Sequence, residues 1–153
     1  MLTSDPGLSV PVETLIPHRK PMCLIDRLVR FKDQGGMVAA LVSFDHALVA
    51  GDGRLDTLAV AEMIAQSYAA VKGYDDYRTG NTVNQGFLVG IRKIQFRSAV
   101  FAGDLLWINV KTVGSIAGFA VVAGTVTREQ EIIAEGEIKL WIQDTDQAEA
   151  TRQ

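Results

Sequence analysis

The stretch that decides the fold is HALVAGDGRLDTLAVAEMIAQ, residues 46–66. Its first half is a loop rich in Gly and Asp, and Asp56 or Thr57 can cap the helix that follows. Apolar residues then stand on nearly every side of that helix, which is typical of a helix enclosed by other structure. The sequence therefore predicts one buried helix over residues 58–72, with Gly73 as its stop.

Strand-like runs lie on both sides of this helix. Two precede it, at residues 22–31 and 37–44, after a short lead with one helical turn at 12–16. Four longer runs follow it, with separators short enough for antiparallel neighbours: 86–96, 104–114, 118–128 and 131–142. A sheet curled around one helix forms an α+β layer. This order of elements predicts a hotdog fold.

The length of 153 residues suits a single domain, 1–153, with a core over about 12–143 and a flexible tail at 144–153. The sheet of one chain covers only one side of the central helix, so the other side needs a second cover. A two-fold homodimer or a larger even assembly is the simplest source of that cover.

Composition and charge exclude several classes of function. The net charge of −3 gives no general attraction to nucleic acid. The single cysteine, Cys23, rules out an internal disulfide and a cysteine-based metal cluster, and two histidines far apart in the sequence argue against a metal site. Without an export signal or an apolar run of 18 residues, the sequence predicts a cytoplasmic protein with no membrane span.

Glu62 and Gln66 are the polar exceptions in the apolar helix, and they stand one turn apart on the same face. Burying a charged side chain costs several kcal/mol unless it is hydrogen-bonded or neutralised. A carboxyl group in apolar surroundings has its pKa raised by desolvation, as a general acid requires near neutral pH. The alternative is a helix face that reaches solvent or forms an ion pair with a strand lysine.

Two further groups could take part in chemistry or binding. His46 lies in the loop before the helix, where an imidazole can act as a base, although a loop histidine is more often a plain surface residue. Arg92, Lys93 and Arg97 make one strand locally basic, so they could contact a phosphopantetheine phosphate or an acidic carrier protein. A solvated strand face is the alternative reading of that strand.

Four segments resemble the 3-hydroxyacyl-[acyl-carrier-protein] dehydratases of the hotdog superfamily, including the dehydratase-like proteins of aryl-polyene and related lipid gene clusters. The segments occur in the family's order: IPHRKPMCLIDRLV (16–29), AVAEMIAQ (59–66), GFLVGIRKIQFRSAVFAGDLL (86–106) and AEGEIKLWI (134–142). The resemblance implies that Glu62 is the acid/base carboxylate and that Gln66 orients it. It also implies that His46 is the counterpart of the family's catalytic histidine, which reaches the partner's glutamate across the dimer interface.

This sequence departs from the family around His46. It has FDHALVAGDG where the family has a Gly-His-Phe-Pro-Gly loop, and the interval from His46 to Glu62 is about two residues longer than in that family. Errors of an ångström in positioning can cost about a hundredfold in rate. The loop therefore makes His46 a weaker candidate than Glu62.

The reaction implied by the resemblance is loss of water from a 3-hydroxyacyl thioester to give the trans-2-enoyl thioester. In this reading His46 removes the C2 proton and Glu62 protonates the departing hydroxyl. Backbone N–H groups of Gly53, Leu58 and Ala59 would bind the thioester oxygen at the helix start. No metal or redox cofactor is needed, because the acyl chain arrives on the phosphopantetheine of an acyl carrier protein or on CoA.

Two other functions stay open at this point. One is a hotdog thioesterase, in which Glu62 activates water or attacks the thioester carbonyl. The other is a non-catalytic subunit that binds an acyl chain or pairs as a heterodimer with an active dehydratase homologue, which would supply the missing histidine loop.

Overall fold

One antiparallel sheet curls around one long helix in the computed structural model, which describes residues 7–80 and 85–143. The helix is α1 (Thr57–Thr79), and the seven strands of this part of the chain are β1 (Val10–Pro11), β2 (Arg27–Lys32), β3 (Gly35–Leu41), β4 (Gln85–Phe96), β5 (Leu105–Ile116), β6 (Phe119–Arg128) and β7 (Glu131–Gln143). Across the sheet the order is β1-β2-β3-β5-β6-β7-β4. This is the predicted α+β architecture.

Helix α1 is enclosed as the sequence predicts. It contacts β2 through β7, and buried side chains occur all round it. The inner face of the sheet supplies the other side of the core, including Leu28, Val38, Ile108 and Ile138, each fully buried. The tight packing extends to Gly124, where an added Cβ would lie 2.5 Å from the Ile64 side chain.

The predicted start of the helix is confirmed and the predicted end is wrong. The Asp56 carboxylate caps the helix by accepting from the Leu58 N–H at 2.9 Å. The helix continues through Gly73 and ends at Gly80, whose φ of +77° is the left-handed conformation of a C-cap. Gly73 has another role, because a Cβ there would lie 2.3 Å from the Leu15 carbonyl oxygen.

The first predicted strand also begins later than expected. Residues 22–26 are outside the strand, and β2 starts at Arg27. The N–H groups of Met22 and Cys23 both donate to the Arg19 carbonyl, which forms a turn instead of a ladder. The two-residue β1 strand was not predicted, whereas the helical turn in the lead is confirmed as a 3-10 turn over Val12–Thr14.

Strand β4 lies at the edge of the sheet and pairs with β7 alone among the described strands. Ile91 is opposite Ile138 and Phe96 is opposite Ala134, so each pair shares one face of the sheet. Ile138 and Ala134 are fully buried, whereas Ile91 is 47% exposed and Phe96 is 43% exposed. The core-facing side of β4 is thus only half covered within one chain.

Two further predictions concern the C-terminal tail and membrane-spanning helices. The predicted tail, 144–153, lies outside the described residues. In the part of the chain that the structure describes, no helix is long and apolar enough to cross a membrane.

Candidate active site

Gln66 is the centre of a hydrogen-bond network between helix α1 and the segment before β2. Its side chain is 2% exposed. The Gln66 amide Nε2 donates to the Met22 carbonyl at 2.8 Å and to the Glu62 carboxylate Oε1 at 3.0 Å, while Oε1 accepts from the Leu24 N–H at 2.9 Å. The buried amide therefore has partners on both ends and holds one oxygen of Glu62 in a fixed position.

Glu62 is half-buried on the helix, between the fully apolar core and the surface. No lysine of residues 7–80 or 85–143 forms an ion pair with it, so the alternative of a strand-lysine bridge does not apply. With Oε1 bound to Gln66, the second carboxylate oxygen, Oε2, is the one left for a proton or a substrate hydroxyl. The acid/base role of Glu62 stays a prediction.

His46 lies in a turn between β3 and α1 and lines a cavity of about 500 Å³. Lys20, Cys23, Leu24 and Asp26 line the same cavity, whereas Glu62 does not. Because Leu24 also bonds to Gln66, the segment before β2 contacts both the cavity and the Glu62–Gln66 pair. Glu62 is thus outside the lining of the cavity that contains His46, and the resemblance expects the two side chains to meet across two chains.

The imidazole of His46 has one fixed hydrogen bond. Nδ1 accepts from the Leu48 N–H at 3.0 Å, and Nε2 is buried without a hydrogen-bond partner among the described residues. The backbone of His46 also closes a turn, since its N–H donates to Ser43 and its carbonyl accepts from Val49. A side-chain bond from Ser43 lowers the pKa of the neighbouring Asp45 carboxyl, which keeps it ionised.

The three predicted oxyanion donors already have acceptors within the chain. The N–H of Gly53 donates to the Ala50 carbonyl at 2.9 Å, that of Leu58 to the Asp56 carboxylate, and that of Ala59 to the Asp56 carbonyl at 3.0 Å. All three N–H groups are hydrogen-bonded within the loop and the helix cap. They are therefore not free to bind a thioester oxygen in this conformation, contrary to the prediction. The cap that starts the helix uses the donors that the prediction assigned to substrate.

The predicted basic strand is largely neutralised by its neighbour. Arg92 lies 3.8 Å from Glu137, and Arg97 forms an ion pair with Glu135, both on β7. Lys93 is exposed and forms no ion pair among the described residues. Both arginine side chains stay about half exposed, so the expected contact of Arg92, Lys93 and Arg97 with a carrier protein or a phosphate stays a prediction. Sequence alone does not show that acidic residues of β7 stand beside the two arginines.

Residues of the segment 20–26 form a wall of the His46 cavity. The sequence predicted a strand from residue 22 but gave this segment no part in the site. Burial raises the pKa of the Cys23 thiol, so Cys23 stays protonated and is a poor nucleophile there. Gln66 is the residue that could have indicated this wall from the sequence. A buried amide needs hydrogen-bond partners for its donors and its acceptor, and this segment supplies two of them.

Among residues 7–80 and 85–143 no group of three or more His, Cys, Asp or Glu side chains is arranged to hold a metal ion. Independence from metals and redox cofactors stays a prediction.

Comparison with known proteins agrees with the fold and with the class of enzyme. The family model described as ApeP-like, ApeP dehydratase, matches residues 10–152. The chain is 30% identical to the 3-hydroxyacyl-[acyl-carrier-protein] dehydratase FabZ of Magnetococcus marinus over 153 residues, covering 87% of this chain and 94% of that protein. It is 26% identical to FabZ of Haemophilus influenzae over 135 residues, covering 85% and 90%.

The fold has a similar solved structure in the dehydratase heterocomplex ApeI:P from Xenorhabdus doucetiae. The TM-score is 0.82 at 20% identity, over 94% of this chain and 97% of that one. The predicted hotdog fold is confirmed, and so is the predicted class of enzyme, a dehydratase of 3-hydroxyacyl thioesters. This chain belongs to the ApeP-like dehydratase family.

Proposed function

We propose that this dehydratase acts on 3-hydroxyacyl chains carried on an acyl carrier protein, in the biosynthesis of fatty acids or aryl polyenes, with Glu62 as the group that transfers protons. The observation that carries the proposal is the Glu62 carboxylate held at 3.0 Å by a fully buried Gln66 amide in a helix that is otherwise apolar. Such an arrangement orients one carboxylate oxygen and leaves the other to react.

The carrier is proposed from the relatives, whose names specify substrates bound to acyl carrier protein. CoA thioesters are the competing carrier, because both present the acyl chain on phosphopantetheine. Comparing the same acyl chain on the two carriers decides between them, and a higher kcat/KM with the carrier protein is expected.

The proposed assembly is a dimer of two hotdog domains joined along β4. The outer edge of β4, a strand of 12 residues, pairs with no other described strand, and some of its apolar side chains are half exposed. Proteins normally cover such a surface. A second hotdog domain would extend the sheet and cover Ile91 and Phe96. It would also bring a second loop of the His46 type toward Glu62, as the family resemblance expects.

The test of the proposed function is hydration, the reverse reaction, followed by loss of the ultraviolet absorbance of a 2-enoyl thioester. Wild-type protein should bleach the absorbance without releasing free thiol, and thiol release would instead indicate a thioesterase. Glu62→Gln keeps the size of the side chain and removes its acid/base function, so we expect a loss of at least about a hundredfold.

The matched control for that variant is Glu129→Gln, an exposed glutamate in the turn between β6 and β7. Its activity should equal that of the wild type. Retained activity in Glu62→Gln, with both variants folded, would contradict the role of Glu62.

A second function is favoured by one specific observation, the similarity to a protein of the ApeI:P heterocomplex. In this alternative the chain is one subunit of a heterodimer and is inactive alone. Mixing it with a catalytic dehydratase homologue would then give activity that depends on Glu62 of this chain. Activity of the isolated wild-type protein would exclude this alternative.

A further inference from the structure

The carboxylate of Asp26 takes the place of a backbone acceptor at the point where strands β2 and β3 part. Strand β2 is paired with β3 from Arg27, which lies opposite Ala39, and the Asp26 N–H donates to the Ala39 carbonyl at 3.0 Å. The N–H of Leu41, the last residue of β3, donates to Asp26 Oδ2 at 2.6 Å. In a continued antiparallel ladder this N–H would donate to a carbonyl of the neighbouring strand. The Asp26 side chain therefore ends the ladder and still gives the Leu41 N–H an acceptor.

The residues that leave the sheet at Asp26 are the ones that Gln66 binds. Residues 23–26 have no regular secondary structure. The Leu24 N–H donates to Gln66 Oε1 at 2.9 Å, and the Met22 carbonyl accepts from Gln66 Nε2 at 2.8 Å. A backbone N–H has a single hydrogen, so the Leu24 N–H is not available to β3 while Gln66 binds it. The segment 22–24 thus binds helix α1 only when it is out of the ladder.

The same Gln66 amide holds Glu62. Its Nε2 donates to the Met22 carbonyl and also to Glu62 Oε1, at 3.0 Å. Because both ends of the amide are bound to the segment 22–24, the orientation of the amide depends on where that segment lies. The orientation of the Glu62 carboxylate depends on the segment for the same reason.

Resting on the proposed function, we propose that Asp26 is a positioning residue for the acid/base group of Glu62. By accepting from Leu41 in place of a backbone carbonyl, it keeps the segment 22–24 against helix α1, where Gln66 holds one carboxylate oxygen. Without Asp26, the Leu41 N–H needs a backbone acceptor, and the segment is drawn back toward β3. Gln66 then loses its partners and Glu62 loses its orientation, which slows the chemical step. In this role Asp26 touches neither the substrate nor the reacting atoms.

Three variants of Asp26 separate its possible roles. Asp26→Ala removes the acceptor, Asp26→Glu displaces it by one bond length, and Asp26→Asn keeps an acceptor oxygen in its place but removes the charge. The control is Asp33→Ala, which removes an exposed aspartate from the turn between β2 and β3.

Hydrogen exchange of the Gln66 side-chain amide tests the structural step without any activity. Its two N–H signals in a 1H–15N spectrum are identified by their loss in Gln66→Met. We expect their exchange with water to be at least about tenfold faster in Asp26→Ala and close to wild type in Asp26→Asn, because local opening governs the exchange of buried amides. Unchanged exchange in Asp26→Ala would overturn the proposal. If that variant does not fold, Asp26→Glu decides instead, and its exchange should be faster than in Asp26→Asn.

The hydration assay tests the link to catalysis, with rates normalised to folded protein. Asp26→Ala should lower kcat about tenfold and leave KM within about twofold of wild type, because the loss is in orientation and not in substrate binding. Asp26→Asn should keep most of the wild-type kcat, and Asp33→Ala should match the wild type.

Three results of the assay would overturn the positioning role. They are a wild-type kcat in Asp26→Ala, a raised KM with unchanged kcat, and equal losses of kcat in the Ala and Asn variants, which would show that the charge of Asp26 matters and not its acceptor oxygen. An inactive wild-type protein would instead contradict the proposed function. The exchange of the Gln66 amide would still decide whether Asp26 holds the segment 22–24.

Discussion

At the scale of single residues, the buried Gln66 amide is the part of the site with the strongest physical constraint. It binds Met22, Leu24 and Glu62 at once, so its removal leaves two backbone groups without their partner and frees the carboxylate. The pairing of Glu62 with Gln66 could be predicted from the sequence, because residues one helical turn apart lie on the same face. The two backbone partners could not, since they are more than 40 residues away along the chain.

Gln66→Met keeps the length of the side chain and removes all three hydrogen bonds. We expect the free energy of unfolding to fall by about 2–4 kcal/mol, because unsatisfied buried groups cost about 1–3 kcal/mol each. The hydration rate should also fall, as Glu62 loses its donor. Urea unfolding and the ultraviolet assay measure the two effects. The control, Gln130→Met in an exposed turn, should change stability by no more than about 0.5 kcal/mol. Equal stability of Gln66→Met and wild type would contradict this account of the network.

At the scale of elements, the boundaries set by neighbouring residues could be predicted from the sequence, and those set by distant residues could not. The starts of α1 and β5 could be predicted to within a residue, because caps, turns and alternation are encoded nearby in the sequence. The end of α1 and the start of β2 could not. Gly73 lies within the helix, where its missing side chain makes room for the Leu15 backbone. Strand β2 starts late because an Arg19 turn and Gln66 engage the residues before it.

Gly73→Ala tests whether Gly73 serves packing or simply weakens the helix. Alanine is more favourable than glycine in a helix interior by about 1 kcal/mol, so an unpacked site would become more stable. We expect the opposite sign, a loss of about 1–3 kcal/mol, because the new Cβ would lie 2.3 Å from the Leu15 carbonyl oxygen. Thermal unfolding measures the change. The matched control is Gly51→Ala, where an added Cβ has no atom within 4 Å, and its stability should stay close to wild type.

At the scale of the whole molecule, the edge strand β4 is the surface to which we expect a second hotdog domain to bind. The inner side of β4 leaves Ile91 and Phe96 nearly half exposed although their cross-strand partners are fully buried. Glu62 does not line the cavity that His46 lines. Both observations are explained if the functional unit contains two hotdog domains joined along β4. The sequence predicts such a second cover for the helix, but the strand order is needed to show that β4 lies at an edge of the sheet.

Ile91→Lys should therefore separate assembly from folding. A lysine at this position can reach water in a single chain but would be buried without a partner in the proposed interface, where an uncompensated charge is strongly unfavourable. We expect the variant to sediment as a folded monomer of 16.6 kDa, the wild type to have at least twice that mass, and hydration activity to be lost with the assembly. The control is Val113→Lys on β5, which is 50% exposed and lies in a strand away from the edge. It should keep the wild-type mass and activity. A wild type that is monomeric and fully active would contradict the two-domain unit and would require Glu62 to act within one chain.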